Sequence, residues 1–219
     1  LQSAGPDMIS LPLLDLEGTQ TRMIGTPRHD DHEVEPEPNP AADGHDHSGI
    51  DPHAWLDPAN AVYWLDMIAV ELASVDPDNA LTYTANATAA KLRVQALDSE
   101  IAALLAPVKD RAFITYHDAY GYFTDHYGLH FAGSVATSEA AAPGAAHLVE
   151  LQKTIVSVQC VFPEKQHDPA LLLQLVEGST TRVGEALDPV GSGLEPGPDA
   201  YDALLHGLAS TLAACLNGA

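Results

Sequence analysis

The chain has 219 residues, of which 46% are apolar, enough to bury the core of one large domain or two small ones. Nine Lys and Arg stand against 31 Asp and Glu, a formal charge of −22, so the surface repels phosphate backbones and anionic membranes and suits cations. No run of about 20 apolar residues is present, which excludes a membrane-spanning helix; no basic-plus-apolar leader stands at Leu1, so any signal peptide is expected to have been removed or to lie outside this sequence.

In chain order, the apolar stretch Met8 to Leu14 is expected to supply a strand. Residues 26–50 then carry prolines, glycines, acids and the histidines His29, His32, His45 and His47, with almost no large apolar side chain. Such a segment cannot offset its ordering entropy by burial, and reads as a loop. It leads into Asp51-Pro52-His53-Ala54-Trp55-Leu56-Asp57-Pro58, a histidine framed by two Asp-Pro turns. Imidazole is the commonest protein ligand for zinc and its neighbours, so this pairing suggests a metal site with a collecting arm.

From Ala59 the apolar positions Val62, Leu65, Ile68, Ala69 and Leu72 recur at helical spacing as far as Val75. Asp76-Pro77 restarts a helix, with aspartate as cap and proline at the first helical position. Its expected apolar stripe is Leu81, Ala85, Ala89, Leu92, Ala96, Leu97, Ile101 and Leu104, and Pro107 marks its end. A helix over 77–106 is ~45 Å long and reads as a rigid strut between two lobes.

Beyond it the chain alternates. Strands are expected at 112–115, 130–133, 158–162 and 181–185, with helices at 119–127, 143–156, 168–177 and 199–216. Alternation with short links predicts a parallel sheet flanked by helices, in which ligands bind beyond the C-terminal strand ends. His117 and Asp188 fall at two such ends. Taken singly, His53 could be a solvated loop residue, His117 a capping or core histidine, and Asp188 a turn-forming aspartate. Cys160 and Cys215 belong to no CxxC motif; they are either a disulfide, which points to an oxidising compartment, or two buried thiols.

Five segments together resemble the zinc-binding solute receptors of bacterial ABC importers, the ZnuA-like proteins. They are DPHAWLDPANA (51–61), DPDNALTYTANA (76–87), YHDAYGYFTDHYGL (116–129), CVFPEKQ (160–166) and ALDPVG (186–191). The resemblance covers roughly residues 50–217 in order and spacing. It implies two α/β lobes joined by one long rigid helix, with the metal held between them. Residues 1–76 would then be the remainder of the N-terminal metal-binding lobe, 77–106 the linking helix and 107–219 the C-terminal lobe. By the same resemblance His53 and His117 are Zn²⁺ ligands, Asp188 is the carboxylate near the metal, and Cys160 and Cys215 form a disulfide. His29, His32, His45 and His47 would be weak accessory sites on a loop typical of zinc members. An imidazole at His117, where manganese-binding relatives carry a carboxylate, favours zinc.

The implied function is zinc capture in the periplasm and delivery to the membrane permease of an ABC transporter, by a monomer that spans no membrane and binds no nucleic acid. The chain also departs from the family pattern. The first histidine ligand has no counterpart before His29, so the N-terminal part of the first lobe is expected to be missing. Glu164-Lys165-Gln166-His167 replaces a Glu-Pro-Gln-aromatic pattern, with Glu164 read as a structural carboxylate. His126, His130, His147, His167 and His206 are read as surface or core residues. Two alternatives are a surface adhesin or structural metal-binding protein of the same fold, and a zinc hydrolase. Against the hydrolase, and for no enzyme at all, there is no HExxH pair and no nucleophile elbow.

Overall fold

The computed structural model describes residues 9–24, 49–136 and 143–218. The accessory histidines His29, His32, His45 and His47 lie outside the described residues. The strand expected over 8–14 is not there among the residues described; Leu13–Asp15 forms a single 3-10 turn capped by Pro12. Proline lacks the N–H that a ladder needs, which favours the turn.

Helix α1 spans Pro58–Val75 and begins on Asp57, whose side chain accepts a hydrogen bond from the Ala59 N–H at 2.8 Å, with Pro58 at the first helical position. A 3-10 turn, Pro77–Asn79, leads into the 26-residue helix α2, Ala80–Leu105. The stripe that α2 buries is Ala87, Val94, Leu97, Ile101 and Leu105. Only Leu97 and Ile101 of the expected stripe belong to it; Leu81 is 87% exposed and Leu92 63% exposed. α2 packs on both α1 and α6, and Leu97, Ile101 and Leu105 of its later turns lie in the main core with α6, a tertiary arrangement that decides which leucines are covered.

The rest is a four-stranded parallel sheet in the order β2-β1-β3-β4, built from β1 Phe113–His117, β2 Phe131–Ala136, β3 Cys160–Phe162 and β4 Arg182–Val183. The connecting helices are α3 Gly121–Tyr127, α4 Ala145–Ile155 and α5 Ala170–Val176, and α6 Ala200–Asn217 closes the chain. Alternate strand residues divide between two cores, as a sheet buried on both faces requires. Phe113, Cys160 and Phe162 join Leu105, Phe123, Leu208 and Leu212 on one face. Ile114 and Val161 join Val135, Leu151, Ile155 and Leu172 on the other. Cys160 of β3 is disulfide-bonded to Cys215 of α6, a link of sequence separation 55. α3 ends on Gly128 at φ 62°, a left-handed cap that favours glycine.

The strand order sets the place of the site. From β1 the chain crosses to β2 on one side, and from β3 to β4 on the other. Between β1 and β3 the two connections therefore part, leaving a crevice at their C-terminal ends.

Candidate metal centre

His117 is the last residue of β1 and its side chain is almost fully buried, at 1% exposure. Glu164, two residues past β3, is equally buried. Its Oε2 lies 2.5 Å from His117 Nδ1, and its Oε1 accepts from the His117 N–H at 3.3 Å and the Tyr120 hydroxyl at 2.9 Å. A carboxylate only accepts, so in the neutral ring Nδ1 carries the proton and Nε2 keeps its lone pair. That Nε2 is buried and has no hydrogen-bond partner among the described residues. Leaving such a nitrogen unsatisfied costs about 1–3 kcal/mol, which marks a position built to meet a ligand.

His53 repeats the arrangement. It precedes the 3-10 turn Ala54–Leu56, and Asp51 Oδ1 accepts from its backbone N–H at 3.0 Å and lies 2.7 Å from its Nδ1. Asp51 is itself buried, with Arg22 Nη1 3.6 Å from its Oδ2 and the Tyr122 hydroxyl donating to its carbonyl at 2.9 Å. Two imidazoles are thus oriented through Nδ1 by buried carboxylates, the outer-shell pattern of histidine metal ligands. Their ring centroids are 5.4 Å apart. Zinc held at about 2.0 Å by two imidazoles in a tetrahedron sets the centroids roughly 5 Å apart.

Asp188 lies on the turn after β4, with both oxygens engaged. Oδ1 accepts from Gln166 Nε2 at 2.6 Å, the Ser192 N–H at 2.9 Å and the Ser192 hydroxyl at 3.1 Å. Oδ2 accepts from the Gly193 N–H at 2.8 Å, with Lys165 Nζ 3.6 Å away. Burial pushes this carboxyl up, but the hydrogen bonds from Gly193, Ser192 and Gln166 outweigh it and hold the group below its ordinary range. Tyr120, whose hydroxyl is pushed well up by burial and by Glu164, also feels the Asp188 charge. The neighbouring Pro189 carbonyl accepts from Trp55 Nε1 at 3.0 Å, which ties the Asp188 turn to the His53 turn.

The structure adds residues read above as structural, surface or core. His117, Glu164 and His167 offer ligand atoms that all lie within 4.8 Å of one another. Glu164 is the hydrogen-bond partner of one imidazole and the neighbour of another, so its buried carboxyl group belongs to the site. His167 stacks on Tyr116, with centroids 4.3 Å apart and planes at 19°, and meets His117 edge-on at 5.7 Å. The available signal was the Glu164-x-x-His167 spacing just past a strong strand, at the switch point of the sheet. His126 is also more than a surface residue, since its Nδ1 lies 2.9 Å from Asp57 Oδ1 and its Nε2 2.8 Å from Asp98 Oδ1.

A parallel α/β sheet with carboxylate-braced imidazoles at its switch point defines a protein with a candidate metal-ion site. The family model described as zinc-uptake complex component A, periplasmic (ZnuA), matches residues 12–215, and the chain belongs to this family. The high-affinity zinc uptake system protein ZnuA of Paracoccus denitrificans is 48% identical over 171 residues, covering 77% of this chain and 52% of that protein. A crystal structure of ZnuA is similar with a TM-score of 0.66 at 29% identity, covering 76% of this chain and 62% of that one. The laminin-binding protein Lmb of Streptococcus agalactiae, described as bifunctional with adhesin and metal transporting activity, is similar with a TM-score of 0.65 at 27% identity, covering 74% and 65%. The chain spans about half the length of the curated relatives it matches.

Proposed function

We propose that this protein captures Zn²⁺ between two lobes in the periplasm and delivers it to the membrane permease of an ABC transporter, acting as a receptor and not as an enzyme. The observation that carries this reading is the pair His53 and His117, each held at Nδ1 by a buried carboxylate, with ring centroids 5.4 Å apart. Their Nε2 atoms ligate the ion, and Asp188 supplies a carboxylate beside it. Neutral imidazoles with one carboxylate suit zinc better than a harder cation. Residues 1–76 belong to the N-terminal lobe, 77–106 to the linking helix and 107–219 to the C-terminal lobe. The relatives named for zinc uptake support the assignment of cargo and permease. Among the described residues no helix is long and apolar enough to cross a membrane. The receptor acts as a monomer and meets its permease by docking.

Calorimetric titration with zinc against a weak competing chelator tests this. A double His53→Ala, His117→Ala variant is expected to lose the tight site, and unchanged tight binding would overturn the assignment. Deleting residues 26–48 is expected to lower the stoichiometry and spare the tight site, because His29, His32, His45 and His47 form only weak accessory sites. The likeness to the S. agalactiae Lmb protein favours one second reading, an adhesin of the same fold. Saturable binding to immobilised laminin by the zinc-loaded protein would support it.

A further inference from the structure

We propose that His167 is a third imidazole ligand of the captured ion, its Nε2 joining those of His53 and His117. This assignment rests on the zinc-capture reading and names one more residue of that same site.

Position comes first. His167 lies on the turn that leaves β3, and His117 ends β1, so the two strands that flank the switch point each deliver one imidazole to the same crevice. The His167 and His117 rings meet at 65° with centroids 5.7 Å apart, and the His53 and His117 rings are 5.4 Å apart. Both separations suit two imidazoles on one tetrahedral zinc, for which roughly 5 Å is expected.

Next, the His167 Nε2 atom, like that of His117, is buried and has no hydrogen-bond partner among the described residues. Its nearest charged neighbour, Glu164 Oε2, is 3.6 Å away, too far for a hydrogen bond. Two buried, unpartnered imidazole nitrogens beside one buried carboxylate form a donor set for a cation, and hydrogen-bonding within the protein does not use it up.

Lastly, the turn is held in place. The His167 N–H donates to the Glu164 carbonyl at 3.3 Å and the Lys165 N–H to the Leu187 carbonyl at 3.0 Å. Gln166 is fixed to Asp188 at 2.6 Å and Ser192 at 2.7 Å. The ring itself is stacked on Tyr116. Little ordering remains to be done when the ion arrives.

A purely structural histidine would need only its ring, so His167→Phe separates the two roles: it keeps the stack on Tyr116 and removes the nitrogen. Zinc competition titration of the full-length variant is expected to show affinity lower by at least the roughly 10- to 100-fold that loss of an outer-shell partner costs. The thermal midpoint of the metal-free protein should stay unchanged. In the unsubstituted protein, long-range ¹H–¹⁵N spectra of the imidazoles should show the His167 Nε2 resonance, assigned by its absence in His167→Phe, shift on zinc addition. Affinity within twofold of the parent, or an unmoved resonance in a protein that binds zinc, overturns the proposal. A parent protein that takes up no zinc overturns the capture reading itself. If His167→Phe fails to fold, the resonance is assigned in the parent protein through its own backbone correlations, and its shift or constancy on zinc addition decides the matter.

Discussion

Glu164 Oε2 meets His117 Nδ1 at 2.5 Å where the connections leaving β1 and β3 part, so one strand end orients the imidazole that the other supplies. The same carboxylate takes the Tyr120 hydroxyl and the His117 N–H, and every one of these partners is buried. Glu164→Ala is therefore expected to destabilise the protein by about 3 kcal/mol, because it strands buried donors. Glu164→Gln keeps an acceptor and should fold, yet bind zinc about 10- to 100-fold more weakly through a less basic imidazole. Urea unfolding and chelator competition measure the two effects separately.

The Cys160–Cys215 disulfide joins β3 to α6 across 55 residues of sequence. Reduction, or Cys215→Ser, should lower stability by about 4 kcal/mol in the chain-entropy account. Denaturation midpoints with and without dithiothreitol check this. The turn bearing Glu164 and His167 leaves β3 directly, so zinc affinity is expected to fall less than stability while the protein remains folded.

His126 bridges two helices, taking Asp57 at the start of α1 and Asp98 in α2. The Asp57 hydrogen bond raises its affinity for the proton; burial opposes this, and Asp98 adds to the rise. A histidine with a raised folded-state pKa contributes stability that is full below its unfolded value and is lost as pH rises through the folded one. The parent protein should therefore be more stable than His126→Gln at pH 5.5, with the gap closing as the pH rises through the raised folded-state value. Thermal midpoints of both proteins across that range provide the check, and a gap independent of pH would contradict it.

Asp188 works in the opposite sense. Its carboxyl is held low by hydrogen bonds from Gly193, Ser192 and Gln166, which outweigh burial, so its contribution is present at neutral pH and lost as pH falls through the folded value. Asp188→Ala should cost about 1–2 kcal/mol at pH 7, since the freed donors face the solvent, and much less in strong acid. Zinc affinity should fall as well. Chemical denaturation at both pH values, with chelator titration at neutral pH, tests both parts.

Most of the α/β half is legible in the sequence because strand–helix alternation and Asp-Pro caps are local signals. The helices expected over 119–127 and 199–216 differ by two residues or fewer at each end from α3 and α6. Two local readings fail for tertiary reasons. Pro12 turns the expected first strand into a 3-10 turn, and the stripe of α2 shifts to Val94 and Leu105 because α2 packs on both α1 and α6, which a single-helix pattern does not register. The weak strand at 130–133 runs on to Ala136, since pairing with β1 supplies what its composition lacks. At the site, His53 and His117 stand out through their flanking residues. Glu164 and His167 carried only their spacing past β3 as a signal, because their nearness to His117 depends on β3 lying beside β1.

The most direct measurement is a crystal structure of the zinc-soaked protein, with anomalous scattering recorded on both sides of the zinc edge. The capture account predicts a strong peak about 2.0–2.1 Å from Nε2 of both His53 and His117. A peak confined to the acidic surface, or none in the crevice between β1 and β3, would contradict it.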